Sequence, residues 1–386
     1  LPDRSLLMNR QGIKPSAKET VIWEEYFDST SWGASVNSNN LCIPANLPNG
    51  WTVGDETGND FLWHWSILGP RGRYTSYDGE VINPSTDPYD LLNSTSASNG
   101  WMMLESDFFN TDESGEMVPE PLNMDTWIMS PAIEISGHSG LLVRFQQRSR
   151  RCCSTTDTKL SLYLSVDFDE NNPDSASWTE FDCRRSPLNM YESNNPEKVE
   201  FFTYDIIQGH STMRLKWHMS GGSHYVWMID DVEIYKLFDN NIKILSSWES
   251  YIYNNNEVGG TKYWYGGYTK IPLKLTSPYV RFGAEAWNFG TNALTNCKLN
   301  VRLFHENLML LYENNSLQKS IPAFYKDTFQ IENTEFISTV RGEIDIHFTM
   351  VHDSIDEQPA NDNVIHSVVI SDTVFSSRPR FRFHRE

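Results

Sequence analysis

The chemistry most legible in this chain lies in two groups of carboxylates. Glu24, Glu25 and Asp28 stand in the first apolar segment, and Asp230 and Asp231 stand in the run Trp227 to Tyr235, some 200 residues later. If the first and last strands of one β unit pair, these acids converge. Ca²⁺ takes six to eight oxygen ligands, chiefly carboxylates and carbonyls, so a convergent set of this kind would suit it. Consecutive strand residues face opposite sides, so Asp230 and Asp231 are not expected to ligate together through their side chains. The competing reading is that these acids cap turns and face water.

Other groups carry weaker signals. The loop Asp167 to Asp174 loosely echoes an alternating-oxygen Ca²⁺ loop, but it lacks the central Gly and terminal Glu of an EF-hand. It reads as a solvated hairpin loop, and so does Asp356 to Asn363. The five cysteines, Cys42, Cys152, Cys153, Cys183 and Cys297, form no C-x-x-C and have no zinc spacing with His. In an exported chain the odd count permits two disulfides and one free thiol, with Cys152 or Cys153 pairing with Cys183. In a reducing compartment all five stay free. None of the ten His sits in H-E-x-x-H, and no serine sits in G-x-S-x-G. The reading is non-enzymatic.

Aromatic side chains offer a different chemistry, because Trp and Tyr faces stack on sugar rings and serve interfaces. The patch Phe61 to Trp65 is one candidate for such a platform. Tyr263, Trp264, Tyr265 and Tyr268 lie in what reads as a Gly-rich connector and are expected as ligand or interface aromatics. The tail Arg378 to Arg385 alternates basic and aromatic residues, which suits either an edge strand pairing with a partner or a linker.

Whole-chain properties limit the partners. Of 386 residues, 31 are Lys or Arg and 51 are Asp or Glu, a net charge of −20. From residue 241 onward the balance is 14 basic to 16 acidic; the first 240 residues carry 17 and 35, so −18 of the charge lies there. That step points to two units with different tasks. The acidity excludes non-specific nucleic-acid binding and docking on an anionic membrane surface. No apolar run approaches the roughly 18 to 20 residues of a transmembrane segment.

The elements that must position these groups are short strands. Leu160 to Val166 and Met213 to Met219 alternate with period two, and Trp127 to Met129, Leu141 to Phe145 and Trp227 to Tyr235 also read as strands. Gly54 to Asn99 is rich in Gly, Pro, Asp and Ser and reads as loop with short embedded strands. After a break near Phe238 to Asn241, a second alternating series follows at Val280 to Ala286, Leu299 to Leu303, Glu343 to Phe348 and Val364 to Ile370. The expected fold is all-β: a leader or linker over 1–20, a β-sandwich over 21–238, a smaller sandwich over 239–376 and a tail or linker over 377–386.

A set of motifs in fixed order adds a resemblance over about 215 residues. It comprises Trp23-Glu24-Glu25-Tyr26-Phe27-Asp28, Leu47-Pro48-Asn49-Gly50-Trp51, Trp63, Asn99-Gly100-Trp101-Met102-Met103, Trp127-Ile128-Met129-Ser130-Pro131-Ala132 and Trp227-Met228-Ile229-Asp230-Asp231-Val232. This resembles the choice-of-anchor J and cleaved-adhesin domains of Bacteroidota surface proteins, relatives of the MAM jelly roll. The second half, through Ile271-Pro272-Leu273, Trp287 to Thr291, Asn296 to Val301 and Asp356 to Asn363, is similar to the immunoglobulin-like modules that follow such domains. The resemblance implies a jelly-roll sandwich followed by an immunoglobulin-like one, in an exported adhesin or scaffold at the bacterial cell surface, a type IX secretion cargo. It implies structural Ca²⁺ at Glu25, Asp28 and Asp230, with Asp231 beside them, a core position for Trp63 and with it the Phe61 to Trp65 patch, and a protein or glycan partner. No type IX sorting domain is visible before the terminal SSRPRFRFHRE, so removal of that domain or a different export route is expected. The alternatives are a carbohydrate-binding module of a secreted polysaccharide-degrading enzyme, or a subunit that self-assembles through its terminal strands into a filament or secretion assembly.

Overall fold

A computed structural model describes residues 20–36, 41–48, 50–77, 79, 81–152, 158–184, 190–222, 225–255, 260–265, 268–272, 279–306, 309–335, 341–372 and 376–377. The chain divides into two compact units, one ending at Leu237 and the other beginning at Phe238. Both are β-sandwiches, and the protein is all-β. No described helix is long and apolar enough to cross a membrane.

The first unit contains β1 (Thr20–Glu25), β2 (Thr52–Asp55), β3 (His64–Ser66), β4 (Trp101–Leu104), β5 (Met124–Met129), β6 (Ile133–Glu134), β7 (Leu141–Cys152), β8 (Lys159–Ser165), β9 (Thr179–Asp182), β10 (Met190–Glu192), β11 (Glu197–Phe202), β12 (Thr212–Gly221) and β13 (Val226–Lys236). One sheet runs β10-β7-β13-β4-β3, with β1 also on β13 and β11 also on β7; the other runs β2-β5-β12-β8-β9, with β6 on β12. The period-two runs supply the core between them. Val143 and Phe145 of β7, Val199 and Phe201 of β11 and Val232 and Ile234 of β13 join Leu160, Leu162 and Leu164 of β8 and Leu215, Trp217 and Met219 of β12 in one buried cluster. Alternation then sends Arg144, Gln146, Lys198, Glu233 and Tyr235 to the far face of the first sheet, and Lys216 and His218 to the far face of the second. The patch expected in the core is there: Phe61, Trp63 and His64 are buried.

The long segment from Gly54 to Asn99 has few strands, and buried carboxylates hold it. Glu105 accepts from the backbone N–H of Arg71 at 2.6 Å and from its Nη2 at 2.6 Å, and lies 3.0 Å from His64 Nε2. Asp107 accepts from Tyr74 N and from the Thr75 hydroxyl, and Asp90 accepts from Tyr77 N and the Ser85 hydroxyl. Burial alone would push Glu105 up, but His64 and Arg71 outweigh it and hold the carboxyl down at about 2. Backbone donors that a loop would otherwise bury unpaired are satisfied this way.

The second unit contains β14 (Ile242–Asn255), β15 (Gly260–Tyr265), β16 (Tyr268–Pro272), β17 (Tyr279–Asn288), β18 (Leu294–His305), β19 (Leu310–Asn315), β20 (Lys319–Ile321), β21 (Lys326–Glu335), β22 (Gly342–Val351), β23 (Asn363–Ser371) and β24 (Ser376–Ser377). Its sheets run β15-β14-β17-β21 and β19-β18-β22-β23-β16-β24, with β20 on β18. Val280, Phe282, Phe329 and Ile331 of the first pack with Val301, Leu303, Ile346 and Phe348 of the second.

Candidate functional site

The first and last strands of the first unit do pair, antiparallel, with Glu24 opposite Glu233 and Glu25 opposite Val232. The acids nevertheless stay in two pairs. Glu25 Oε1 turns inward to accept from Phe27 N at 2.8 Å and Trp32 Nε1 at 3.3 Å, and burial pushes its pKa up. Asp28 is the N-cap of a short helix (Ser29–Trp32), accepting from Thr30 N and Ser31 N. The Thr30 hydroxyl is the main cause of its lowered pKa. Among the described residues no group of three His, Cys, Asp or Glu side chains is placed to hold a metal ion. The expected convergence of all four acids is not formed.

Asp230 and Asp231 do something the alternation rule does not anticipate. The β13–β7 register shifts between Asp230 and Glu233, and Asp231 has φ of 49°, in the left-handed region where Asp is better tolerated than most residues. This bulge turns both carboxylates onto the segment that precedes β4. Asp230 Oδ2 accepts from Ser94 Oγ at 2.5 Å and lies 3.1 Å from Ser96 Oγ. Asp231 Oδ1 is 2.5 Å from the same Ser96 Oγ, while its Oδ2 accepts from Thr95 N and Gln146 Nε2, each at 2.6 Å. Asp230 Oδ1 is buried with no partner. Burial, with the Asp231 charge adding to it and the Ser94 hydroxyl opposing it, pushes Asp230 up to about 7.

The segment held in this way forms one wall of a cleft of about 440 Å³. Thr95, Ser96 and Asn99 line that wall; Arg144 and Gln146 of β7, Lys198 of β11, and Asp231, Glu233 and Tyr235 of β13 form the floor; Tyr26 closes the edge. The charges on the floor are tied together. Arg144 Nε donates to Glu200 at 2.7 Å, with both side chains buried, and its guanidinium lies 4.4 Å over the Tyr235 ring. Tyr235 donates its hydroxyl to Glu233, and Tyr26 Oη lies 3.0 Å from Glu24 and 3.2 Å from Glu233, between two acids that face each other in the register. Burial, then the Glu233 carboxylate, pushes Tyr235 up to about 12. The cleft is therefore a fixed polar surface with two phenol rings and amide, hydroxyl and ammonium groups. Clefts of this size suit small ligands.

The other residues singled out in the sequence lie elsewhere. Tyr263, Trp264 and Tyr265 belong to β15 and Tyr268 to β16, so strands stand where a connector was expected; their side chains lie outside the described residues. Cys183 is a free, buried thiol 3.7 Å from the Phe181 carbonyl, so its expected disulfide is not formed. The side chains of its expected partners Cys152 and Cys153 lie outside the described residues, as does the tail 378–386. One constellation escaped the sequence reading. In the second unit His366 Nδ1 lies 2.8 Å from Glu249 Oε2 and its Nε2 lies 3.0 Å from Ser247 Oγ, the order of a nucleophile–base–acid relay. Ser247 is in mid-strand, opposite Ala284, not on a turn presenting converging N–H donors. The chain of hydrogen bonds ties β14 of one sheet to β23 of the other.

No family model matches this chain, and no curated protein matches it. Among solved structures it is similar to the K1 cleaved adhesin domain of Lys-gingipain from Porphyromonas gingivalis, at 16% identity over 55% of this chain and 96% of that one, with a TM-score of 0.30. It is also similar to TmCBM61, solved with β-1,4-galactotriose, at 10% identity over 49% and 89%, TM-score 0.25. A third is a GH2 β-galacturonidase from Eisenbergiella tayi, at 11% identity over 63% of this chain and 35% of that one, TM-score 0.22.

Proposed function

We propose that the chain is a non-enzymatic, exported surface protein of the adhesin type, whose first unit holds a neutral glycan in the cleft between the Thr95–Asn99 segment and β13. On this reading the second unit is an immunoglobulin-like spacer. The observation that carries the proposal is that Asp231, Glu233 and Arg144 of the cleft floor are each engaged by neighbouring protein groups. Asp231 is held by three donors, Glu233 by the Tyr235 hydroxyl and Arg144 by Glu200, and the single Tyr26 proton is shared between Glu24 and Glu233. Groups locked this way fix a hydrogen-bonding surface in place and present rings for stacking, which is how a polyhydroxyl ligand is recognised with little reorganisation. A carboxylate so engaged is poorly placed to give up or take a proton in turnover. Within the cleft, Asp231 and Glu233, with Glu24 and Glu200 beside them, favour a neutral ligand over a polyanion.

The test is an array of neutral oligosaccharides probed with the intact chain and with Gln146→Ala and Tyr26→Ala. Retention of a neutral glycan by the wild type, lost in both variants with thermal unfolding unchanged, is expected. Retention that ignores both substitutions overturns the assignment to this cleft.

A further inference from the structure

The opposite sheet of the first unit carries a second feature. β12 crosses its centre and buries Leu215, Trp217 and Met219, which leaves Lys216 pointing away from the core. Three rings surround its ammonium. Trp178, just before β9, is 4.1 Å from Nζ at the ring centroid, Tyr163 of β8 is 5.4 Å away and Trp127 of β5 is 5.9 Å away. The Trp127 ring needs a bed, and Gly54, its register partner in β2, supplies one: a Cβ there would lie 2.4 Å from Trp127 Cζ2. All three rings are half-buried.

The acids on this face are already engaged. Glu56 accepts from Trp127 Nε1 at 2.8 Å, Asp125 pairs with His218 Nε2 at 2.7 Å, and Glu180 accepts from the Ser161 hydroxyl at 2.7 Å. Arg214, further along β12, is 2.5 Å from Glu170. Lys216 differs: among the described residues its ammonium makes no hydrogen bond and no ion pair. Glu56 and Asp125 act on it only through their charge, and burial pushes its pKa down. A partly desolvated ammonium without an acceptor carries an unrepaid cost, which ring faces offset only in part.

We infer that this face is a second binding site, separate from the cleft, for a pyranose ring bearing a carboxylate. The carboxylate pairs with Lys216 Nζ while the ring stacks on Trp178 and Trp127. The inference does not depend on the cleft, since it rests on a different sheet and on a charge the cleft does not share.

Isothermal titration with tri-galacturonate and with its neutral methyl ester tests it. The acid is expected to bind at least about tenfold more tightly than the ester, an advantage that shrinks as salt rises. Lys216→Met keeps the stem and the rings, and should remove that advantage without lowering the unfolding temperature. Trp178→Ala should weaken both ligands. Equal affinity for acid and ester, no detectable binding of the acid at millimolar concentration, or unchanged acid binding by Lys216→Met would each overturn the inference.

Discussion

Asp230 and Asp231 are consecutive in one strand, yet their carboxylates reach the same hydroxyl, that of Ser96. A hydroxyl has one proton to give, so one of these two contacts needs a proton from elsewhere. Asp230 is the group that carries it, because its other oxygen is buried without a partner and its carboxyl is pushed up to about 7. The pair thereby pins the Thr95–Asn99 wall of the cleft to β13.

That arrangement makes stability depend on pH. Asp230 ordinarily titrates near 3.8 and in the folded chain near 7, so folding takes up a proton between those values. The stabilisation from neutral Asp230 is full below about 3.8 and is lost as pH rises through 7. Chemical unfolding followed by Trp fluorescence should show stability of the first unit falling from pH 5 to 8, by at most about 1.4 kcal/mol per pH unit. Asp230→Asn should flatten that slope. An identical slope in the variant would mean that another group is responsible.

The buried Arg144–Glu200 pair should tolerate joint loss better than single loss. Arg144→Met leaves Glu200 without its cation and should cost about 3–5 kcal/mol, whereas the double variant Arg144→Met with Glu200→Leu should recover much of that. Denaturant titration of the four chains measures the coupling. Additive costs would contradict the pairing.

Free thiols give an independent check on the core. Burial pushes Cys42 up to about 12, Cys297 up to about 11 and Cys183 well above its ordinary value. Native protein treated with iodoacetamide at pH 8 should leave all three unmodified by peptide mass mapping, and denatured protein should be alkylated at each. Rapid native labelling of Cys183, or its recovery in a disulfide peptide, would contradict its buried place at the end of β9.

Much of the sandwich was legible because period two is a local property. Leu160 to Val166 and Met213 to Met219 announce β8 and β12 within a residue or two, and the pairing of first and last strands follows from the unit being one sandwich. The site was less legible for physical reasons. A positive φ at Asp231 reverses the facing that strand alternation predicts, and nothing in the local sequence marks it. Its partners Thr95 and Ser96 lie about 135 residues away, supplied by a segment that reads only as polar loop. The face around Lys216 was missed because each strand contributes only one or two of its residues. Trp127, Tyr163, Trp178 and Lys216 form a group only after the register is known.

The role proposed for the cleft is binding without turnover. The most direct measurement is a calorimetric titration of the intact chain with the neutral oligosaccharide that the array retains, followed by chromatography of the recovered ligand. A saturable isotherm with one ligand per chain, abolished by Gln146→Ala, and ligand recovered intact are expected. Cleaved ligand, or an isotherm that Gln146→Ala leaves unchanged, would contradict that role.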